Sequence, residues 1–217
     1  MDGCSYLKSV AAVFFAAICA YLGAWLFPSI SQMPDATPAL SAAETYIALE
    51  GIALRNERPV SAPGKARFLP REDQRLAAGS LLWSGGQGES LQSGKSAIFM
   101  VGCDGFEYLA PPSADSFGAE TLSGLLNAQP EDSPGQARLV EGFYWYYAAF
   151  APKSAPEIAP GRHYLKFEGF DKYCKALLIK CEETEEGRAL LFRLSLGDTE
   201  YLDLRKCRAE LLVSDFA

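Results

Sequence analysis

The sequence has little of what several functional classes require. Its 217 residues include a single histidine, His163, which excludes catalysis or metal binding by paired histidines. The six cysteines form no Cys-x-x-Cys pair, so a structural zinc site or a thioredoxin-like motif has no support. Positive charge is also scarce, because 20 Lys and Arg residues stand against 27 Asp and Glu residues, for a net charge of −7. Such a chain repels phosphate backbones, and we expect no nucleic-acid partner.

What is present indicates a folded, mainly β chain. Hydrophobic residues make up 49% and charged residues 22%, which is an ordinary globular composition. The 19 glycines and 13 prolines favour a turn-rich β fold over a helical bundle. Apolar–polar alternation recurs about every 8–12 residues, which is typical of a small barrel or sandwich. It predicts strands at 45–55, 60–69 with a turn at Pro63-Gly64, 81–83, 97–101, 139–150, 163–167, 175–183, 188–196 and 209–213.

One long apolar run lies near the N-terminus, at residues 10–27 (VAAVFFAAICAYLGAWLF). Its 18 uncharged residues fall within the range of about 17–25 that spans a bilayer. Lys8 precedes the run and no Lys or Arg follows until Arg55, which predicts a cytoplasmic N-terminus and an extracytoplasmic remainder. The alternatives are a cleaved signal peptide, whose apolar region is normally about 7–15 residues, and a buried core helix. The side chains predicted to anchor the chain in lipid are Val10, Phe14, Phe15, Ile18, Leu22, Trp25 and Phe27.

The segments after this run suggest two β modules joined by a helix. Gly51 is a candidate β-bulge, and Ser116 is the candidate N-cap of a helix at 119–127. Prolines and small polar residues mark a linker just after the apolar run. The predicted organisation is a cytoplasmic tail (1–9), an anchor (10–27), a linker (28–43), a first β module (44–110), a helix and linker (111–136) and a β-barrel domain (137–217).

Four cysteines follow the anchor, namely Cys103, Cys174, Cys181 and Cys207. Cys174 and Cys181 are seven residues apart on one predicted strand, so they should point to opposite faces and not bond each other. A bond from Cys207 to one of them across neighbouring strands is the alternative, and we favour buried free thiols that act as small hydrophobic residues.

Several short segments resemble HlyD-like membrane fusion proteins of clostridial-type bacteria. Leu49–Glu57 (LEGIALRNE) is similar to the opening "(E/S)G-x-x-x-R-(D/N)-E" motif of that family. Asp104–Glu107 (DGFE) is similar to its "DG-(Y/F)-E" return strand, and Leu202–Arg205 (LDLR) to its "L-x-x-R" turn. Other segments that match in the same order are 63–68, 75–82, 93–99, 143–146 and 187–191.

The resemblance implies a lipoyl-like barrel-sandwich module followed by a small adaptor-type β-barrel. It also implies an extracytoplasmic adaptor role beside a membrane complex. Two departures limit what carries over. Only 13 residues, Ser84–Ser96, stand where typical adaptors have a long helical hairpin, so we do not expect docking on an outer-membrane channel. Lys65 lacks a modified-lysine context such as Met-Lys-Met, so no prosthetic group is expected.

Three features have both a chemical and a structural interpretation. His163 is a candidate general base, but no Gly-x-Ser-x-Gly or other nucleophile motif accompanies it, which favours a rim histidine. The acidic run Glu182–Glu186 is a candidate cation site, but it lacks the spacing of a calcium loop and suits a solvated hairpin tip. Gly85–Gly88 (GGQG) lacks the Lys-Ser/Thr of a phosphate-binding loop and is read as a turn. We predict no catalytic residue, no cofactor and no metal.

The aromatic strip Phe143–Tyr147 is the strongest candidate for a partner contact. On a strand, Phe143, Trp145 and Tyr147 share one face, which we expect to fill the barrel. Tyr144 and Tyr146 then face outward and are the predicted partner-contact residues. The sequence therefore predicts a non-catalytic, single-pass scaffold that associates with the lipid bilayer and with a membrane protein or itself. The alternative is a membrane-tethered module that binds the cell wall or another ligand.

Overall fold

The computed structural model describes residues 45–64, 66–85, 88–133, 135–197 and 199–213. The predicted tail, anchor and linker, with the seven anchor side chains, lie outside these residues. Within the described ranges, no helix is both long and apolar enough to cross a bilayer. Residues 42–217 form one compact unit.

The described chain is mainly β with one α-helix, which confirms the predicted class. The strands are β1 (Thr45–Val60), β2 (Gln74–Leu76), β3 (Leu81–Ser84), β4 (Ser90–Gln92), β5 (Ala97–Val101), β6 (Ala137–Pro152), β7 (Gly161–Phe167), β8 (Tyr173–Glu183), β9 (Gly187–Ser195) and β10 (Lys206–Val213). The helix α1 spans Ala119–Asn127, and a short 3-10 turn covers Thr199–Tyr201.

Six antiparallel strands close into a barrel. The strand order is β1–β10–β7–β8–β9–β6, and β6 pairs again with β1 to complete the circle. β1 and β6 are each 16 residues long, and their far halves leave the barrel together. There β1 stays paired with β6, β6 pairs with β5, and β5 pairs with β2. We call this second assembly, made of β2, β5, residues 56–60 and residues 137–141, the side sheet.

Alternating side chains divide the interior into separate clusters. Inward residues from all six strands fill the barrel, as expected for strands with one buried face. The largest of them are Trp145, Tyr147, Phe167 and Phe192. A second cluster lies between the side sheet and the β3–β4 hairpin and includes Trp83 and Phe99. Helix α1 covers a third cluster on the outer surface of β1, β6 and β9.

The helix lies where the sequence predicts it, but its cap differs. Gly118, rather than Ser116, is the N-cap residue, and it makes no side-chain cap hydrogen bond. The carboxylate of Glu182 on β8 accepts a hydrogen bond from the Ala119 N–H at 3.2 Å instead. A carboxylate at this end of a helix is stabilised by the helix dipole, so one glutamate of the acidic run fastens the helix to the barrel.

Two strand-level predictions are wrong. No strand occurs in residues 61–64 and 66–73, where Pro63 and Pro70 interrupt backbone pairing. The register shift in β1 lies at Arg55 and not at Gly51. Gly51 instead allows close strand contact, since a Cβ there would lie 2.5 Å from the Ala148 carbonyl oxygen.

The two predicted β modules are not separate in the sheet. β1 belongs to the predicted first module, 44–110, yet its first ten residues pair with β10 and β6 inside the barrel. β6 belongs to the predicted barrel domain, 137–217, yet its first five residues pair with β5 in the side sheet. The long strands β1 and β6 therefore contribute to both parts, and residues 42–217 form one compact unit.

The four cysteines of the described chain are free thiols. The expectation that Cys174 and Cys181 face opposite ways is wrong, because both pack against the barrel core. A register shift between Leu178 and Lys180 adds one residue to β8 and restores the inward direction at Cys181. Cys207 packs against the same core, and burial raises its pKa to about 12.

Candidate functional site

A cluster of ionised side chains lies where the barrel meets the side sheet. It contains three arginines and three carboxylates, which we call the charge cluster: Arg55, Glu57, Asp104, Arg138, Asp203 and Arg205. β1 supplies two of these residues and β6 supplies one, while loops supply the others. Arg55 and Arg138 are among the few charged residues of the described chain that are almost fully buried.

Glu57 is the centre of this cluster, and its side chain has no exposed surface. Its Oε2 accepts a hydrogen bond from Arg205, and its Oε1 lies 3.9 Å from Arg55 and 3.7 Å from the Arg138 Nε. Arg205 also donates to the Asp104 carboxylate at 2.5 Å. One buried glutamate thus faces three guanidinium groups, which stabilises a charge that would otherwise be costly to desolvate.

Arg55 joins the cluster to the turn that closes the barrel end. It donates to the Leu204 carbonyl oxygen at 2.9 Å and to the Tyr201 carbonyl oxygen at 2.5 Å. Its guanidinium carbon lies 5.4 Å from the centre of the Trp145 ring, within cation–π range. The register shift of β1 occurs at this residue, so the irregular backbone aims the arginine at the 199–205 turn.

Arg138 and Glu107 attach the loop that follows β5. Arg138 donates to the Gly102 carbonyl oxygen at 3.2 Å and to Asp203 at 2.9 Å. Glu107 accepts hydrogen bonds from the backbone N–H groups of Asp104 at 2.7 Å and Gly105 at 3.1 Å. Gly105 has a positive φ of 81°, and a Cβ there would lie 2.5 Å from the Glu131 carbonyl oxygen. The loop is therefore held in one conformation that presents Asp104 to Arg205.

The cluster changes the pKa of its members. Burial, followed by repulsion from Arg205, lowers the pKa of Arg55 to about 10. Burial alone would raise the pKa of Asp104, but the hydrogen bond and charge of Arg205 outweigh it and hold that pKa below its usual value. Burial likewise opposes the charge of Arg205, yet attraction to Glu57 and Asp104 raises its pKa. The charges of Asp104 and Arg205 are thus maintained by their neighbours, whereas burial and Arg205 act against the charge of Arg55.

The carboxylates of Glu57, Asp104 and Glu107 lie close enough together to share a metal ion, with oxygen atoms within 4.8 Å of one another. The charge that they need is already supplied, because Arg205 hydrogen-bonds both Glu57 and Asp104. Glu107 is occupied by two backbone N–H groups. These contacts therefore fix two loops against β1 and β6, and the three carboxylates are not assigned as a metal centre.

The motifs that carry the family resemblance meet in this cluster. Arg55 and Glu57 come from the first motif, Asp104 from the second and Arg205 from the third. Sequence analysis identified these segments but did not predict that their charged residues contact one another. Glu57 and Arg205 are 148 positions apart, so only the closed barrel brings them together.

The predicted contact residues Tyr144 and Tyr146 have different environments. Tyr144 is 47% exposed, and the Arg193 guanidinium lies 4.7 Å from its ring centre. Tyr146 is half-buried and packs into the cluster beneath helix α1. The prediction that Phe143 fills the barrel is wrong, because Phe143 is 71% exposed. Gly142, at a φ of +97°, and the register shift beside it turn Phe143 outward, while Trp145 and Tyr147 remain inside.

In the described part of the chain, neither His163 nor the acidic run Glu182–Glu186 lies in a group of side chains arranged for catalysis or cation binding. The His163 Nε2 lies 2.7 Å from the Ala159 carbonyl oxygen, and its ring contacts Phe192 edge-on at the barrel rim. In the acidic run, Glu182 caps the helix and Glu183 pairs with Arg188 at 3.3 Å. Among described residues, no carboxylate of this run belongs to a group with metal-binding geometry.

Two open grooves, each of about 490 Å³, lie on the barrel surface. The first runs between β10 and the turn from β7 to β8. Its polar and aromatic lining comprises Lys166, Glu168, Phe170, Asp171, Arg208 and Glu210. The second separates α1 from the β8–β9 hairpin, with an apolar floor and an acidic rim. Its lining includes Leu122, Leu126, Phe150, Glu185 and Glu186.

Sequence analysis missed one further surface, the outer side of β7 and β8. Cross-strand pairs place Tyr164 beside Lys175, Lys166 beside Tyr173, and Arg162 beside Leu177. Leu177 in turn pairs with Arg193 of β9. We call this surface the basic face: Arg162, Tyr164, Lys166, Tyr173, Lys175, Leu177 and Arg193. The alternation Arg-x-Tyr-x-Lys followed by Tyr-x-Lys-x-Leu was the available signal, but the net negative charge of the chain obscures it.

A comparison of the chain with protein-family models, curated proteins and solved structures finds no match. The functional argument therefore depends on the residues and surfaces described above.

Proposed function

We propose that the protein is a non-catalytic, membrane-anchored extracytoplasmic scaffold that binds a membrane-protein partner through Phe143 and Tyr144. The observation that carries this proposal is the exposed aromatic pair itself. Phe143 is 71% exposed, more than any other large hydrophobic residue in the described ranges. Aromatic residues and arginine are enriched at protein interfaces, and Arg193 stands over Tyr144.

The local backbone supports a binding role for the pair. The Phe143 carbonyl oxygen accepts a hydrogen bond from the Leu196 N–H at 2.8 Å, and Tyr144 is paired with Ser195 on β9. Arg75 from the side sheet donates to the Leu196 carbonyl oxygen at 2.8 Å. The two rings therefore project from a backbone held on both sides. A rigid aromatic anchor loses little conformational entropy on binding.

The charge cluster supports the non-catalytic part. Its ionised groups are paired with one another, and even Asp203, whose side chain is 84% exposed, pairs with Arg138, so these residues hold loops against β1 and β6. The surface, rather than the interior, then offers the groups that a partner can reach.

The family resemblance gives the finer interpretation of the fold. The side sheet with the β3–β4 hairpin would correspond to the lipoyl-like module, and the six-stranded barrel to the adaptor-type barrel. What supports it is the order of the motifs and the short strand β4 (Ser90–Gln92), paired with β3, within Ser84–Ser96, where longer adaptors carry a helical hairpin. The predicted anchor would raise the effective concentration of the barrel beside its partner, so that a modest interface suffices.

The test is crosslinking at the aromatic pair in the full-length chain. A photo-crosslinking residue at position 143 should capture one defined membrane protein, or a second copy of this chain. The double variant Phe143→Ala/Tyr144→Ala should abolish co-purification of that protein. Leu69→Ala is the matched control, because Leu69 is another exposed apolar residue at 57% exposure.

Loss of co-purification in the aromatic double variant alone supports the scaffold. Equal recovery with all three proteins, or crosslinks to no protein, contradicts it. Unfolding midpoints of the variants should match that of the wild type, because neither ring belongs to a buried cluster.

The first groove favours the alternative, a tethered ligand-binding module. Charged side chains and Phe170 line it, and such a lining suits a polar polymer such as a wall glycan. Retention of the barrel on isolated cell wall, lost in Phe170→Ala and unaffected in the aromatic double variant, would favour this function over the scaffold.

A further inference from the structure

We propose that the basic face binds the anionic phospholipid surface of the membrane in which the chain is anchored. This inference rests on the proposed membrane anchoring and deepens it, because it names the side of the barrel that turns towards lipid. Its surface adjoins the aromatic pair through Arg193, which lies over Tyr144, and leaves Phe143 free for a protein partner.

The basic face is continuous across three strands. Residues opposite each other on antiparallel strands lie on one side of the sheet. The register therefore places Arg162, Leu177 and Arg193 in one row. The next row crosses β1, β10, β7 and β8 and presents Tyr46, Tyr164 and Lys175, while Leu212, between the two tyrosines, is only 2% exposed. Cations and tyrosines thus alternate on the same outer surface.

The cations of this face are available for an external partner. The side chains of Arg162, Lys166 and Lys175 make no ion pair or hydrogen bond with any described residue. Arg193 lies over the Tyr144 ring and likewise has no carboxylate partner in the described part of the chain. Three acids adjoin this face at Lys166, because Glu210 stands opposite it on β10 and Glu168 and Asp171 line the same groove. Elsewhere on the barrel an exposed arginine does form an ion pair, since Arg208 lies 2.9 Å from Glu50.

Charge complementarity favours anionic lipid as the occupant. The chain carries a net charge of −7, so most of its surface is repelled by anionic headgroups, and this face is the exception. Each Lys or Arg near such a surface strengthens binding about fivefold. Tyrosine rings prefer the interface between lipid and water, and Tyr164 and Tyr173 lie between the cations.

The position of the predicted anchor adds a second argument. Seventeen residues separate Phe27 from Thr45, where β1 begins. Even fully extended, that length reaches no further than about 60 Å. Tyr46, the second residue of β1, is exposed and belongs to the same row as Tyr164 and Lys175. The first strand of the barrel, β1, therefore begins at the edge of the basic face.

Amine labelling of the full-length chain in nanodiscs tests this proposal. A water-soluble amine reagent is applied to the protein in nanodiscs of phosphatidylcholine alone and in nanodiscs with 40% phosphatidylglycerol, and each lysine is quantified by mass spectrometry. We expect labelling of Lys166 and Lys175 to fall severalfold in the anionic discs. Lys95, whose side chain is 76% exposed on the side sheet, is the internal control and should not change.

Charge variants provide a second readout on the same discs. Arg162→Gln/Arg193→Gln keeps both reporter lysines and should reduce or abolish the difference in their labelling between the two lipids. The control Arg67→Gln/Arg71→Gln makes the same change of charge away from the basic face, keeps Lys95 as the internal control, and should retain the protection. Raising the salt to 0.5 M should remove the protection in the wild type, because exposed charges are then screened.

The outcomes separate the two proposals. If the chain fails to enter nanodiscs, the anchor is wrong. If it enters but Lys166 and Lys175 are labelled equally in both lipids, the anchor stands and the lipid-facing role is overturned. If added polyphosphate competes away the protection at a concentration below that of accessible lipid phosphate, the face is a general polyanion site, and the assignment to lipid is overturned as well.

Discussion

The charge cluster and the basic face use the same kind of side chain in opposite ways. In the cluster, Arg55 and Arg138 are almost fully buried and each faces a carboxylate. On the basic face, Arg162 and Lys175 are exposed, with no carboxylate partner in the described chain. Buried charges need partners within the fold, whereas exposed ones are stabilised by water until a partner arrives. The difference assigns the first set to stability and the second to recognition.

The largest effect on stability is expected from removal of the central carboxylate of the cluster. Glu57→Gln keeps the shape of the side chain but leaves three buried guanidinium groups without their shared counter-charge. We expect the free energy of unfolding to fall by about 3–5 kcal/mol. Urea unfolding followed by tryptophan fluorescence measures it.

Glu50→Gln is the matched control for this prediction. It removes the glutamate of an exposed pair, whose two side chains are 70% and 71% exposed. Its cost should be below about 1 kcal/mol. Equal losses in the two variants would contradict the structural role of the cluster.

A smaller effect is expected at Asp104, and it should depend on pH. Asp104→Asn removes a charged hydrogen bond to Arg205, at a cost of about 1–3 kcal/mol at neutral pH. The folded pKa of Asp104 lies below its unfolded value of about 3.9. The contribution is therefore complete above pH 4–5 and is lost as the pH falls through the folded pKa.

Unfolding of wild type and variant between pH 2 and pH 7 tests this sign. The difference in unfolding free energy should stay level from pH 7 to about pH 5 and shrink below about pH 4. Asp115→Asn, at an exposed position, should show no difference at any pH. If the difference in unfolding free energy between wild type and Asp104→Asn grew as the pH fell, the cluster would not stabilise the ionised carboxylate.

The smallest effect on stability is expected where most charge is removed. Arg162→Gln/Lys166→Gln/Lys175→Gln eliminates three cations, yet each change should alter the unfolding free energy by no more than about 0.5 kcal/mol. The same unfolding assay measures it. A loss comparable to that of Glu57→Gln would mean that the basic face stabilises the fold, and the distinction between the two regions would disappear.

Local patterns account for much of the fold. A short apolar run located β5 at 97–101, and the apolar spacing of Leu122, Leu125 and Leu126 located α1 at 119–127. Local patterns mispredict the direction of a side chain where a backbone irregularity turns it to the other face of the sheet. Gly142 turns Phe143 outward, and the extra residue in β8 turns Cys181 inward. One inserted residue exchanges every later side chain between faces.

The charge cluster lay beyond sequence reasoning for a different reason. Glu57 and Arg205 are ordinary charged residues in separate motifs, and their contact depends on the closure of β1 against β10 and β6. The basic face depends on cross-strand register in the same way. No strand contributes more than three charged or aromatic residues in alternation, which by itself is typical of any solvated strand.

Fractionation of cells that express the full-length chain tests the central claim of a tethered barrel most directly. Membranes are extracted with alkaline carbonate, and intact cells are treated with an amine reagent that does not cross the bilayer. The account predicts that the chain stays in the membrane pellet and that Lys95 and Lys153 are modified from outside. Release of the chain by carbonate, or its recovery in the culture fluid without residues 10–27, would contradict it.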